Sequence, residues 1–406
     1  MAELTATRKL YFERELSFCS EIVAIQEEGG HTHLVLRDTA FYPEGGGQPS
    51  DRGTLTVGDR TFSVEDVQID EAGVVRHRVS GELAELTASA VVTAQVEPQR
   101  RREFTALHTA QHCLSRALEL EDCGATVSAR LGGSAATIDV SRGELSAAAL
   151  ARAEKLANSI VDDNVLVRAW FPDPHELARL PLRRAPKVEE QVRVIAIGDF
   201  DFTPCGGTHC TSSSEMGVIA ITGTEKHKGL TRIRFTAGPR ARSEFSEHRQ
   251  QLARLAVLLG AGGEDVESAV SRLRSELSDL RRERGELRAR LTESYAAGLE
   301  TASLVVFLAE AFDAAMVREV ANRIAAREGV RAVVGVGMDA PPSGRPLVVV
   351  SGKQRPIDAR RLLGDLTKEL GGRGGGRPDF AEGRLSSPAS EATLRETAQR
   401  LAFSAS

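Results

Sequence analysis

Short alternations of apolar and polar positions fill the first quarter of the chain. Residues 20–25, 33–36, 53–57, 61–64, 74–77 and 90–96 carry β-branched or alternating side chains, the period of two that puts every second residue on one strand face. Glycine-rich turns at Glu28-Gly29-Gly30, Gly45-Gly46-Gly47 and Val57-Gly58-Asp59 separate them. Short strands this close together predict a small β-barrel over residues 1–95. The period changes at Pro98. Phe104, Leu107, Leu114 and Leu118 recur at helical spacing, and residues 146–160 form an amphipathic stretch rich in Ala and Leu, so both read as helices. Residues 127–140 read as a hairpin around Gly132-Gly133, and 165–170, 192–197, 217–222 and 231–237 as strands. Residues 96–240 therefore mix helices with a sheet.

Residues 241–298 form a helical segment. Val266, Val270, Leu273, Leu277, Leu280, Leu287 and Leu291 make a heptad seam with Arg284 at the skipped position. This pattern fits a coiled coil, or equally one long helix packed on its own chain. Residues 299–406 alternate strands (304–308, 332–336, 347–350) with helices (311–328, 358–370), which predicts a small α/β domain. The whole is an α+β chain: barrel, α/β core, long helix and small α/β domain.

Composition narrows the function classes. The chain has 406 residues, 41% hydrophobic and 27% charged, with 52 Lys and Arg against 57 Asp and Glu for a net charge of −5. A general polyanion binder would be basic overall, so nucleic-acid contact must come from local patches. Two are visible: Arg100, Arg101 and Arg102, and the acid-free run that holds Lys226, Lys228, Arg232, Arg234, Arg240 and Arg242. Each reads as a phosphate contact or as a solvated charged face. No apolar run reaches the length of a membrane span, and the charged N-terminus lacks the apolar core of a secretion signal. Five cysteines make no disulfide framework. A reducing cytoplasm, with no membrane association, is the expected location.

Three clusters carry chemistry. In His108-Thr109-Ala110-Gln111-His112 the two histidines sit one helical turn apart on one face, so both imidazoles can reach one ion. In Cys205-Gly206-Gly207-Thr208-His209-Cys210 a cysteine and a histidine are again four apart, in a turn whose glycines permit a tight backbone. A thiolate with imidazoles suits zinc or another borderline metal. Cys210 lies too close to His209 for a comfortable chelate, and Cys113 points off the ligand face. The protease motif H-E-x-x-H fails because Thr109 stands where its Glu should be, and the zinc-deaminase pattern is missing. The third cluster is Phe41-Tyr42-Pro43-Glu44-Gly45-Gly46-Gly47-Gln48. Its bare backbone amides can bind a ligand's oxygens, and Gln48 adds a neutral donor and acceptor. A plain hairpin turn is the simpler alternative.

The F-Y-P-E-G-G-G-Q stretch, the H-T-A-Q-H helix and the C-G-G-T-H turn, in this order, resemble the editing domain of alanyl-tRNA synthetase and the AlaX-type trans-editing proteins. The glycine-rich run 371–378, followed by Ala381-Glu382-Gly383, resembles the end of the DHHA1 domain of the long AlaX form. With only about ten residues before the barrel, the resemblance implies an editor without an aminoacylation module. It implies zinc as the cofactor, with His108, His112, Cys205 and His209 as ligands. Gly46, Gly47 and Gln48 would line the pocket for the aminoacyl adenosine and act on the developing oxyanion. Thr126 sits where the family places a hydroxyl near the amino-acid side chain. Arg130 stands where the family often has His. Arg373 and Arg377, among glycines that suit close approach to RNA, are further tRNA contacts.

The implied reaction is ATP-independent hydrolysis of the ester between an amino acid and the terminal ribose of tRNA, with Ser-tRNA(Ala) and Gly-tRNA(Ala) as first candidates. A four-ligand zinc either yields one position or orients the substrate beside a positioned water. Two other readings stand beside it. One is a deacylase for a threonyl-type or antimetabolite ester, such as fluorothreonyl-tRNA. The other is a non-catalytic tRNA-binding protein. The tRNA would be engaged at its acceptor end and elbow, and the seam or the C-terminal domain would support a homodimer.

Overall fold

In a computed structural model, residues 4–404 are described apart from 82–85, 134, 187, 189, 263–264, 339–343, 355 and 387–388. The chain forms two compact units, Met1–Arg254 and Leu255–Ser406. The first begins with β1 (Arg8–Lys9), β2 (Ser17–Glu28), β3 (His31–Leu36), β4 (Asp38–Thr39), β5 (Gly53–Val57), β6 (Arg60–Ile69), β7 (Val75–Ser80) and β8 (Val91–Val96). Six of them close into a barrel in the order β2-β3-β7-β6-β5-β8, while β1 pairs with β4. Alternation decides the faces: in β8 Val92, Ala94 and Val96 are buried and their neighbours are exposed, and Ile22, Leu34, Leu55 and Phe62 join them inside. Gly53 is demanded by closure, because a Cβ there would lie 2.0 Å from the Gln95 carbonyl oxygen of the next strand.

Helix α1 (Pro98–Leu120) follows. It begins six residues before the expected start at 104, since a proline in the first turn gives up no hydrogen bond. Arg100 and Arg101, within that added turn, reach back to the barrel. Next come β9 (Thr126–Arg130), β10 (Ala136–Val140), α2 (Ala147–Asp162), β11 (Val167–Trp170), α3 (Pro174–Leu177), β12 (Val194–Ile197), β13 (Asp201–Pro204), β14 (Ile219–His227) and β15 (Leu230–Ala237). Ser146 caps α2 by accepting the Ala149 N–H. The strands form two antiparallel sheets, β14-β15-β10-β9 and β11-β12-β13. Leu107, Leu114 and Leu118 of α1 share one core with Ile138, Ile233 and Phe235, which fixes the opposite face of the helix toward the turn after β13.

Helix α4 (Gly238–Leu258) ends at Gly260, which takes a positive φ, and α5 (Val266–Gly298) starts afresh. The second unit continues with β16 (Leu304–Leu308), α6 (Ala314–Ala325), β17 (Ala332–Val336), β18 (Arg345–Ser351), α7 (Ala359–Leu370), β19 (Gly372–Gly376), β20 (Phe380–Leu385) and α8 (Glu391–Phe403). The sheet order is β16-β17-β18-β20-β19. Of its pairs only β16–β17 is parallel, so the α/β domain expected from strand–helix alternation has a mostly antiparallel sheet. Separate cores cover its two faces, one around Phe307, Val317 and Ile324, the other around Val334, Leu363 and Leu394. No described helix is long and apolar enough to cross a membrane.

Candidate metal centre and its cavity

The two four-residue motifs meet. His108 and His112 project from one face of α1, and the turn after β13 brings Cys205 and His209 to them; the ligand atoms of all four lie within 4.8 Å of one another. Cys205 Sγ is 3.4 Å from His108 Nε2 and 3.4 Å from His209 Nε2. Gly207 makes the approach feasible: a Cβ there would sit 2.1 Å from His108 Cε1 and 2.3 Å from Nδ1. Arg193 clamps the turn, with Nη1 donating to the carbonyls of Cys205 at 3.0 Å and Gly207 at 2.8 Å.

Two of the three histidines are held from behind by a hydrogen bond at Nδ1. Gln48 Oε1 accepts the backbone N–H of Thr208 at 3.2 Å, which identifies that atom as oxygen, so His108 Nδ1 at 2.7 Å donates to it. Thr109 Oγ1 gives its own proton to the Thr105 carbonyl and so accepts from His209 Nδ1 at 3.2 Å. His112 Nδ1 faces Asp201 Oδ2 at 3.6 Å, an ion-pair separation too long for a hydrogen bond, and is a buried atom without a hydrogen-bond partner. Asp201 is itself anchored by Arg183 Nε at 2.7 Å and Thr203 Oγ1 at 2.8 Å. Fixing the outer nitrogen and freeing the inner one is how proteins orient imidazoles on a metal. The electrostatics agree for Cys205 and His209, whereas at His112 the lowering by burial is outweighed by Cys205 and Asp201, which raise it. Burial raises the Cys205 thiol, but His108, His112 and His209 together hold it well below its ordinary value; burial and His108 push His209 well down. A thiolate beside a neutral imidazole is the state a metal requires. Burial sends the other nearby thiols the other way, Cys113 to about 12 and Cys210 to about 11. The donor set fits a divalent metal ion.

A cavity of about 790 Å³ opens beside the centre, lined among others by Gly46, Gly47, His108, Gln111, Thr126 and Cys205. Gly45 and Gln48 exchange backbone hydrogen bonds at 3.1 and 2.9 Å across Gly46 and Gly47, whose φ values are +59° and +85°, as a type I′ turn demands. Gly47 is pressed against β9, where a Cβ would lie 2.2 Å from the Ala129 oxygen. Among the described residues neither the Gly46 nor the Gly47 amide N–H is hydrogen-bonded. Gln48 does not line the cavity as expected: it is 0% exposed and its amide is spent on His108 and Thr208, because 60 positions of intervening chain fold it behind the helix. Thr126 Oγ1 and Gln111 Nε2 both donate to Ser115 Oγ at 2.8 Å, and both residues line the cavity.

The basic residues divide. Arg130 is exposed on β9 outside this cavity. The Arg100–Arg102 patch is largely structural: Arg100 donates to the Ser50 carbonyl at 2.9 Å, and buried Arg101 pairs with Asp51. Lys226, Arg232 and Arg240 are paired with Glu144, Asp139 and Glu103. Arg373 and Arg377 lie exposed on and just after β19, Arg377 3.5 Å from Asp379. The glycines around them serve the sheet, since a Cβ on Gly374 would meet Gly383 Cα at 2.6 Å and one on Gly376 would meet Ala381 Cα at 2.4 Å. Sequence reasoning missed Asp201 as a support, and missed Thr109 and Arg193; Arg193 gives no local signal.

An alanyl-tRNA editing protein AlaX-L from Pyrococcus horikoshii is 31% identical, over 90% of this chain and 91% of its own length. The chain belongs to the AlaX-L family of alanyl-tRNA editing proteins. Residues 3–100 match tRNA synthetases class II (A), 192–234 the threonyl and alanyl tRNA synthetase second additional domain, and 301–402 the DHHA1 domain. The last places the family's C-terminal module on the five-stranded sheet of the second unit. Alanine–tRNA ligases of Methanopyrus kandleri and Haloquadratum walsbyi are each 31% identical over 94% of the chain, which spans 43% and 42% of their lengths.

Proposed function

We propose that this AlaX-L family member hydrolyses the ester of mischarged tRNA, with Ser-tRNA(Ala) and Gly-tRNA(Ala) as substrates and zinc on His108, His112, Cys205 and His209. The observation that carries this reading is the juxtaposition of that donor set with two unengaged amides, Gly46 and Gly47, on one cavity. A zinc ion held there would polarise the ester carbonyl and lower the pKa of a bound water. The Gly46 and Gly47 N–H groups donate to the oxyanion that forms as water attacks. Gln48 acts as a positioning residue, since its oxygen fixes the tautomer and orientation of His108. Thr126 Oγ1, its proton given to Ser115, accepts from a serine hydroxyl. Alanine leaves that site unpaired and is cleaved more slowly than serine; glycine gains nothing from this contact. The chain divides functionally as 1–95, 96–240, 241–298 and 299–406. The exposed seam of α5 pairs with a second copy in a coiled coil, and Arg373 and Arg377 contact tRNA away from its acceptor end.

The test offers the zinc-loaded full chain Ser-, Gly- and Ala-tRNA(Ala) and a threonyl-type ester. Serine should be released faster than alanine by about a hundredfold or more, and Cys205→Ala should lose both zinc and hydrolysis. Cleavage of the threonyl-type ester alone moves the substrate assignment to that class. Intact esters throughout, with zinc bound, leave a binding protein.

A further inference from the structure

Arg193 is a buried cation with no carboxylate partner among the described residues; the anionic group it feels is the Cys205 thiolate, whose charge a bound metal would take up. It is 8% exposed, its guanidinium lies 4.4 Å over the Phe12 ring, and Nη1 is spent on two carbonyls of the metal turn. The other buried arginines of this unit have carboxylates: Arg101 pairs with Asp51 and Arg183 with Asp201. No carboxylate lies within ion-pair distance of Arg193 among the described residues. Burying a guanidinium whose anionic neighbour is a metal-ligating thiolate is costly once the metal draws on that charge, and carbonyl dipoles do not cancel it. Nε and Nη2 make no hydrogen bond among the described residues and keep access to solvent.

Its position says where a counter-ion would come from. Arg193 lines the cavity of Gly46 and Gly47 and also a second one of about 680 Å³, on the side of His209. The second cavity is cationic. Arg102 and Arg242 border it without ion-pair partners among the described residues, and of its two acids Glu215 is tied to Arg14 at 2.6 Å. A ligand spanning both cavities therefore presents a neutral polar group on the Thr126 side and a negative charge at Arg193. An aminoacylated RNA end has this layout: amino acid and ester on the 3′ ribose, and a phosphate on the 5′ side of the same nucleoside.

We propose that Arg193 binds the phosphate 5′ to the terminal adenosine, so that the RNA backbone enters through the His209-side cavity and the aminoacyl group lies in the Gly46–Gly47 cavity. Phosphate in the fork of a guanidinium makes charge-assisted hydrogen bonds that register the ester against the metal centre. This inference rests on the proposed deacylase reading.

Adenosine and adenosine 5′-monophosphate, titrated calorimetrically into the metal-loaded full chain, isolate the phosphate. The monophosphate should bind about tenfold to a hundredfold tighter than adenosine, and Arg193→Gln should abolish the difference between the two ligands. Equal affinities in the parent chain, or a preference that survives in Arg193→Gln, would overturn the proposal. Because Arg193 also clamps the metal turn, a second readout uses the unaltered protein. The ¹⁵N resonance of the Arg193 Nε–H, assigned through its loss in Arg193→Lys, should move with the monophosphate and stay still with adenosine; no movement with either counts against the proposal. Neither readout needs hydrolysis, so a failed deacylase reading would appear as intact esters whatever the phosphate preference.

Discussion

Glycine at position 207 lets an imidazole pass where any side chain would collide. An added Cβ would sit 2.1 Å from His108 Cε1, so Gly207→Ala should swing His108 off Gln48 and weaken the metal by about tenfold to a hundredfold, with the circular dichroism near that of the parent. Competition with a chelator measures this; an unchanged affinity would mean that His108 is not a ligand. Each pair of donors was legible because its members sit four positions apart and that spacing encodes proximity; that the two pairs share one ion was implied by the family resemblance. Their supports were not. Gln48 is 60 positions from His108, and Asp201 touches His112 from another element. Chain distance carries no such information, so Gln48 was read as a wall of the pocket when it is the brace behind it.

Among the elements, α5 separates periodicity from packing. The seam reads from sequence as a coiled coil or as a helix packed on its own chain. Val270, Leu273, Leu277, Leu280, Leu287 and Leu291 are 42–61% exposed, while Ala269, Thr292 and Ala296, off the seam, are the buried positions. A charge in a paired seam is costly, so if two copies pair there Leu280→Glu should shift sedimentation from dimer to monomer without loss of helix content. A dimer that persists in this variant would place the interface elsewhere, for instance on the C-terminal domain. The strand β19 shows the converse limit. Its glycines resemble an RNA-contact signal, yet close strand pairing already requires glycine at three of its five positions, Gly372, Gly374 and Gly376.

For the whole molecule, stability is divided among separate cores, and the barrel core contains a proton-sensitive part. His77 Nδ1 donates to the Leu34 carbonyl at 3.0 Å and Nε2 accepts from Thr39 Oγ1 at 2.8 Å, and Thr39 in turn receives the Phe41 N–H at the root of the glycine turn. Burial is the main reason its pKa falls from 6.5 to about 4. The folded form thus binds fewer protons than the unfolded one between those values, and stability present above pH 6.5 is lost as pH falls toward 4, by up to about 3 kcal/mol. Urea unfolding at pH 7 and pH 4.5 should show this loss in the parent and a smaller one in His77→Gln; equal losses would remove His77 as the cause. Read alone, the sequence determined the barrel, the helix bearing two histidines, the cysteine–histidine turn and the sheet-and-helix C-terminal unit, because periodicity and short spacings are local properties of the chain. Only the tertiary structure decided that Gln48 is buried, that Arg100 and Arg101 brace the barrel, that the seam of α5 is exposed, and that Arg193 stands without a carboxylate partner between two cavities. Those depend on which distant segments share a volume, and solvent exclusion and charge pairing are set there.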